Sequence, residues 1–267
     1  MIKRPRRLVL LGRSLGHSLS PRFQNAALRQ AELSVIYETL DIPASALDDT
    51  LDQLARDEAA GNVTIPYKER VFDRCDRLTP IARRVGAVNT FWFERGELVG
   101  DNTDVGGFDV AARRLLGSME RGLTVGVLGA GGAAAAVLAA IESWPDSRAL
   151  VHNRTTERAE ALSARFHSIA RTIDADQLAR EAHLVVNATS IGLRDEALPI
   201  DPAALRADAA VLDLVYRREE TAWVRAARAL GHAAADGVVM LIEQGALAFE
   251  RWFGFPPDRE TMWNAVR

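Results

Sequence analysis

Apolar, β-branched runs alternate with segments of helical period almost throughout the chain, the pattern of an α/β protein whose strands are mostly parallel. RLVLLG predicts a first strand, and Ser20 with Pro21 supply a cap and a first helical position for PRFQNAALRQAEL. VIYETLD predicts a strand, PASALDDTLDQLARDE a helix and NVTIP a short buried strand, while AVNTFWFERGELVG reads as a hairpin turning at Arg95 and Gly96. After GDNTD a second unit begins with helix GFDVAARRLLG, strand TVGVLG and the turn and helix GAGGAAAAVLAAI. Strand RALVHN, helix TTERAEALSARF and strands HLVVNAT and AAVLDLVY continue the alternation, and from Gly237 a helix VVMLIEQGALAFERWF precedes PPDRETMWNAVR. No internal repeat or low-complexity linker breaks this order.

Composition narrows the function classes. With 267 residues the chain holds one large domain or two modest ones. A net charge of −3 and a pI near 6.0 give no bulk electrostatic case for nucleic acid or an acidic membrane, so any anion site must be local. No apolar run reaches the roughly 20 residues that span a bilayer. The basic-then-apolar start MIKRPRRLVLLG lacks a small-residue cleavage pattern, so it is read as a strand. A lone Cys75 excludes an intrachain disulfide and fits a reducing cytoplasm. Of the 33 basic residues only Lys3 and Lys68 are lysine, and six of the seven asparagines sit in short polar segments between apolar runs. Residue types that a chain otherwise resists are candidates for specific chemistry where it keeps them.

Gly129, Gly131 and Gly132 follow a strand and open an Ala-rich helix, the context that a dinucleotide-binding turn requires. Such glycines let backbone approach a pyrophosphate at the positive end of the helix. The same pattern also serves a tight strand-to-helix turn with no ligand. Roughly 20 residues further on, where an NAD enzyme places a carboxylate for the ribose hydroxyls, the chain reads HNRTTER. Asn153, Arg154, Thr155 and Arg158 offer donors and two guanidinium groups instead, which suits a 2′-phosphate and favours NADP over NAD. The competing reading is two solvated arginines at a helix start, where cations oppose the helix dipole.

In the first unit, Ser18 and Ser20 lie on one side of an extended loop just before a helix N-terminus and offer a seat for a carboxylate, although on spacing alone a plain helix cap is the better reading of Ser20. Asn62, Thr64 and Lys68 stand beside a buried strand end, and GAVNT and GDNTD add Asn89, Asn102 and Asp104, the donors and acceptors a neutral polyol needs. Lys68 with Asp104 could form a proton-transfer pair, the ammonium donating to a developing alkoxide and the carboxylate orienting it. A structural salt bridge is the alternative. No metal site is assigned.

The ordered set HSLSP with Asn25, NVTIPYKE, GAVNT, GDNTD, GAGGAA, NRTTER, NATSIG, DLVY and MLIEQGALAFERW resembles the shikimate dehydrogenase family over nearly the full chain. The resemblance implies an α/β substrate-binding domain, residues 1–104 and 238–267, and a Rossmann-type NADP domain, residues 105–237, with the terminal helices returning to the substrate domain. It implies NADPH-dependent reduction of 3-dehydroshikimate to shikimate, with Lys68 as acid/base beside Asp104. Carried over by motif, Ser18 and Ser20 would bind the substrate carboxylate, and Thr64, Asn89, Asp104 and Gln244 the ring hydroxyls, with Tyr216 a further substrate contact. Gln244 read without the resemblance is a polar residue on a terminal helix.

Gly129, Ala130, Gly131, Gly132, Ala133, Asn153, Arg154, Thr155 and Arg158 match the family's NADP segments. Thr189, Ser190, Leu214, Gly237 and Met240 would lie along the cofactor toward its nicotinamide. A homodimer is implied by the resemblance alone. The chain departs from the family pattern at Ser14, Gln24, Ala60, Arg218 and Val239, which bear on loop shape and substrate preference but remove no side chain assigned to chemistry. The rival functions are a quinate/shikimate dehydrogenase using either nicotinamide cofactor and a non-catalytic nucleotide-binding relative.

Overall fold

The structure, a computed structural model, describes residues 4–117 and 121–267, so Lys3 and the start of the segment read as a first strand lie outside the described residues. Contacts divide the chain into two compact units, Met1–Gly107 with Leu241–Arg267, and Phe108–Met240.

The first unit begins with β1 (Arg7–Gly12), whose residues Leu8 to Leu11 are all buried, as expected of a strand covered on both faces. It continues through α1 (Ser20–Gln30), β2 (Tyr37–Asp41), α2 (Leu47–Arg56), β3 (Ala59–Val63), α3 (Lys68–Arg74), β4 (Arg77–Leu78), α4 (Pro80–Val85), β5 (Thr90–Glu94) and β6 (Glu97–Asp101) to the start of α5 (Asp104–Leu116). The sheet order is β2-β1-β3-β5-β6-β4. β1 runs parallel to β2 and β3, and the hairpin β5–β6 is antiparallel to β3 through β5. Val9, Leu11, Leu51, Leu54, Tyr67 and Phe91 form the centre of its core.

Two local expectations are corrected. Ser20 is the first residue of α1 rather than its cap: Leu19 already takes helical angles, and the Ser18 hydroxyl accepts the Ser20 N–H at 3.2 Å. The NVTIP strand ends at Val63, and Thr64 lies off its end with its N–H donated to the Leu11 carbonyl at 2.9 Å.

The second unit holds the rest of α5, then β7 (Thr124–Leu128), α6 (Gly132–Ile141), β8 (Arg148–His152), α7 (Thr156–Arg165), β9 (Ala170–Thr172), α8 (Ala175–Glu181), β10 (Leu184–Asn187), β11 (Ala210–Asp213), α9 (Ala222–Ala229) and β12 (Ala234–Ala235). Its sheet is wholly parallel in the order β9-β8-β7-β10-β11-β12, the six-strand arrangement of a doubly wound dinucleotide-binding fold. The order of strand addition reverses between β7 and β10, so the open ends of these two strands flank the turn after β7. α10 (Val238–Phe253) leads back into the first unit, where α11 (Arg259–Asn264) packs against α1.

Cys75 ends α3, and burial together with the neighbouring Asp76 charge pushes its thiol up to about 12. At pH 8 the thiolate is then on the order of one molecule in ten thousand. Iodoacetamide should alkylate the folded protein at least about 100-fold more slowly than the urea-unfolded chain, the higher nucleophilicity of a basic thiolate being allowed for. Mass spectrometry of timed quenches reads this directly, and equal rates would mean an ordinary, accessible thiol.

Candidate active site

Strand register assembles the polar segments of the first unit. Asn62 of β3 pairs with Thr90 of β5, and Thr90 pairs with Asp101 of β6, so the end of β3, the start of β5 and the end of β6 meet at one edge. The residues that follow or precede these ends, Thr64 to Lys68, Asn89, and Asn102 to Asp104, are therefore gathered there.

Lys68 opens α3 and Asp104 opens α5. Lys68 Nζ lies 2.6 Å from Asp104 Oδ2, with the two side chains only 18% and 7% exposed. A cation in the first turn of a helix opposes the dipole, and the carboxylate of Asp104 offsets that cost. Asn89 Nδ2 donates to Asp104 Oδ1 at 2.8 Å and lies 2.9 Å from Thr103 Oγ1 and 3.2 Å from Gln244 Oε1. Asn89 Oδ1 accepts the Thr103 N–H at 2.7 Å. Asn102 accepts the Asp104 N–H at 3.1 Å and donates to the Ala87 carbonyl at 2.8 Å. Behind them the Tyr37 hydroxyl donates to Asn62 Oδ1 at 2.8 Å, and Asn62 Nδ2 donates to the Asn89 carbonyl at 3.2 Å.

Four of the residues singled out from sequence, Lys68, Asn89, Asp104 and Gln244, are thus joined in one hydrogen-bonded cluster. Ser18, Ser20 and Thr64 belong to the same unit, but among the described residues no hydrogen bond joins them to that cluster. Tyr216 follows β11 in the second unit and is half-buried.

In the second unit Gly129 follows β7 with φ +115°, and its N–H is donated to the His152 carbonyl at 2.8 Å. A Cβ there would lie 2.9 Å from the Ala188 carbonyl and 3.2 Å from Thr189 Cγ2, so only glycine fits. At Gly131, the N-cap of α6, a Cβ would meet nothing within 4 Å, and no side chain caps the helix. Ala130 lies in the turn, and Gly132 and Ala133 start the helix, leaving its first N–H groups for an anion.

Asn153 Nδ2 donates to the Thr155 carbonyl at 2.9 Å, and Thr155 caps α7 without a side-chain bond. Arg154 and Arg158 are exposed, and neither guanidinium is paired with a described residue. Two exposed guanidinium groups at a helix start with no side-chain cap bond are chemically suited to pair with a phosphate. Thr189 and Ser190 follow β10. Leu214 and Gly237 approach so closely that a Cβ on Gly237 would lie 2.3 Å from the Leu214 carbonyl, and Met240 is buried on α10.

Residues 10–91 match the family model for the shikimate dehydrogenase substrate binding domain, and residues 237–267 that for the shikimate 5′-dehydrogenase C-terminal domain. The shikimate dehydrogenase (NADP(+)) of Methylocella silvestris is 42% identical over 258 residues, covering 94% of this chain and 91% of that protein. The crystal structure of Thermus thermophilus shikimate 5-dehydrogenase in complex with NADP(H) and shikimate is 40% identical, covers 98% of each chain and superposes with a TM-score of 0.89. The chain belongs to the shikimate dehydrogenase family. The structure of the Aquifex aeolicus shikimate dehydrogenase, 32% identical, covers 100% of both chains with a TM-score of 0.91.

In this member of the shikimate dehydrogenase family one further interaction supports the cluster. Asp101 is 1% exposed, and its carboxylate accepts the Asn102 N–H at 2.8 Å, the Thr79 hydroxyl, and Arg251 Nε at 2.8 Å. Arg251 lies seven residues after Gln244 on α10, two helical turns and hence the same face, which was the available signal. Trp252 Nε1 adds a bond to Thr90 Oγ1 at 3.1 Å. The helix that carries Gln244 is therefore fastened to the strand end that carries the Asn102–Asp104 segment.

Arg251→Met should leave Asp101 buried without its cation and lower the unfolding free energy by about 1–3 kcal/mol. A urea titration followed by circular dichroism measures the shift, and an unchanged midpoint would show that the pair contributes nothing.

Proposed function

We propose that the chain is an NADP-dependent shikimate dehydrogenase that reversibly reduces 3-dehydroshikimate to shikimate, a step toward chorismate and the aromatic amino acids. The observation that carries this reading is the Lys68–Asp104 pair held against Asn89 and Gln244, in a family member whose second unit has the glycine turn and free arginines that suit NADP. The first unit is assigned the substrate and the second the cofactor.

Ser18 and Ser20 seat the substrate carboxylate, and Thr64, Asn89, Asp104 and Gln244 take the ring hydroxyls, with Tyr216 a further substrate contact. When bound, NADPH supplies the hydride that reduces the ketone carbon. Lys68 donates the proton to the oxygen that becomes the alkoxide, and in the reverse direction Lys68 takes it back. Asp104 fixes the ammonium through one oxygen and is itself fixed by Asn89 through the other, so the donor is aimed before substrate arrives. Gly129 to Ala133 cradle the pyrophosphate, and Asn153, Arg154, Thr155 and Arg158 hold the adenosine phosphate. Thr189, Ser190, Leu214, Gly237 and Met240 line the way to the nicotinamide.

A lone half-buried cysteine supports a cytoplasmic location. Among the described residues no helix is long and apolar enough to cross a membrane. A homodimer is part of the proposal on the strength of the resemblance, and analytical ultracentrifugation tests it.

Absorbance at the NADPH band, with shikimate or quinate against NADP or NAD, decides the reaction. Shikimate with NADP should be the preferred combination by kcat/KM, and a preference for quinate or NAD would overturn the reading. Arg154→Ala should raise KM for NADP by at least about tenfold with little change for NAD. Lys68→Arg should fold and bind NADPH but lose about 10²–10⁴-fold in kcat, because a guanidinium is a poor proton donor near neutral pH. Near-native kcat in that variant would reduce Lys68 to a source of charge.

A further inference from the structure

Asp213 is a buried acid to which the proposed chemistry gives no task. It ends β11, is 1% exposed, and pairs in register with Asn187 at the end of β10. Burial pushes its carboxyl pKa up against the hydrogen bonds it accepts. Thr221 Oγ1 donates to Oδ2 at 2.8 Å, while Asn187 Nδ2 at 2.8 Å and the Val215 N–H at 3.0 Å both donate to Oδ1.

Asn187 is fully buried and passes this arrangement on. Its Nδ2 also donates to the Ile191 carbonyl at 3.1 Å, and its Oδ1 accepts the Thr189 N–H at 3.0 Å and the Thr189 hydroxyl at 2.6 Å. Thr189 Oγ1 in turn accepts the Ile191 N–H at 3.1 Å. A carboxylate can only accept, so Asp213 dictates that the amide of Asn187 turns its NH₂ inward and its oxygen toward Thr189. Reversing that amide would set NH₂ against the Thr189 N–H and leave buried groups unpaired. The segment so fixed, residues 188–191, is the one against which Gly129 packs.

We propose that Asp213 is a positioning residue for dinucleotide binding, acting through Asn187 to hold the Thr189–Ile191 loop and the adjoining glycine turn in their binding shape. This rests on the cofactor assignment made above. Asp213 acts through Asn187 and through the Val215 N–H that it holds beside Leu214, so its loss is read in cofactor affinity.

Asp213→Ala removes the acceptor of both Asn187 Nδ2 and the Val215 N–H and should weaken NADP binding by about tenfold or more in calorimetric titration. Asp213→Asn, whose amide oxygen can still accept from Asn187 Nδ2 and from the Val215 N–H, should retain affinity to within about threefold of the parent. Thr221→Val, which removes one donor from Asp213 together with the α9 cap but touches neither Asn187 nor the loop, should raise the NADP Kd by about threefold and reports if Asp213→Ala does not fold. Lowered Tm with unchanged Kd in the folding variants, or an Asp213→Asn variant that binds NADP no better than Asp213→Ala, would overturn the proposal. Failure of the parent protein to bind NADP would instead overturn the cofactor assignment.

Discussion

The contact between Lys68 and Asp104 constrains everything else in the first unit. An exposed ion pair of this kind is worth roughly 0–1 kcal/mol, and a desolvated one is favourable only if hydrogen bonds satisfy its remaining oxygens and protons. Here both side chains are largely buried, so the arrangement depends on Asn89 at one carboxylate oxygen and on Asn102 at the Asp104 N–H. Those asparagines are placed by strand register, since the Asn62, Thr90 and Asp101 positions line up across three strands. A slip of one residue in β5 or β6 would turn these side chains to the other face and dissolve the cluster. The hairpin and its tie to α10 through Asp101 and Arg251 are therefore conditions for the chemistry, although neither Arg251 nor Thr90 takes part in it.

The second unit, in the proposed reading, faces a different problem, holding an anion in a chain whose net charge is −3. It does so locally. An uncapped helix start at Gly131, two guanidinium groups without partners among the described residues and a glycine turn closed against the Ala188 carbonyl concentrate positive potential at the open ends of parallel strands. The support for that turn comes from buried polar groups one strand and then two strands away, at Asn187 and Asp213, where unmet hydrogen bonds would be most costly.

Much of this was legible in the sequence because it is carried by short-range pattern. The strand–glycine–helix run around Gly129, the hairpin at Arg95 and Gly96 and the full extent of α10 follow from local spacing and turn chemistry. The cluster residues were legible as polar segments punctuating apolar runs, and the family resemblance sorted them into roles. Elements without an apolar period were not: β4 and β12 have two residues each, and α3 begins inside the polar segment that carries Lys68. Ser20 is not the cap because the chain already turns into the helix at Leu19, whose carbonyl accepts the Arg22 and Phe23 N–H groups. The spacing from Gln244 puts Arg251 on the right face of α10, but the Asp101–Arg251 and Asp213–Asn187 pairs join residues 150 and 26 positions apart, and only the folded register makes them neighbours.

The claim that Lys68 and Asp104 act as one unit is tested most directly by a double-mutant cycle on kcat/KM for shikimate oxidation, using Lys68→Ala, Asp104→Asn and the two together. Groups that perform a single step jointly lose most of their contribution when either is removed. The account predicts that the double variant is no more than about tenfold slower than the slower single variant. Losses that multiply, so that the double variant falls by the product of the two single effects, would contradict it and make the contact a structural salt bridge beside two independent groups.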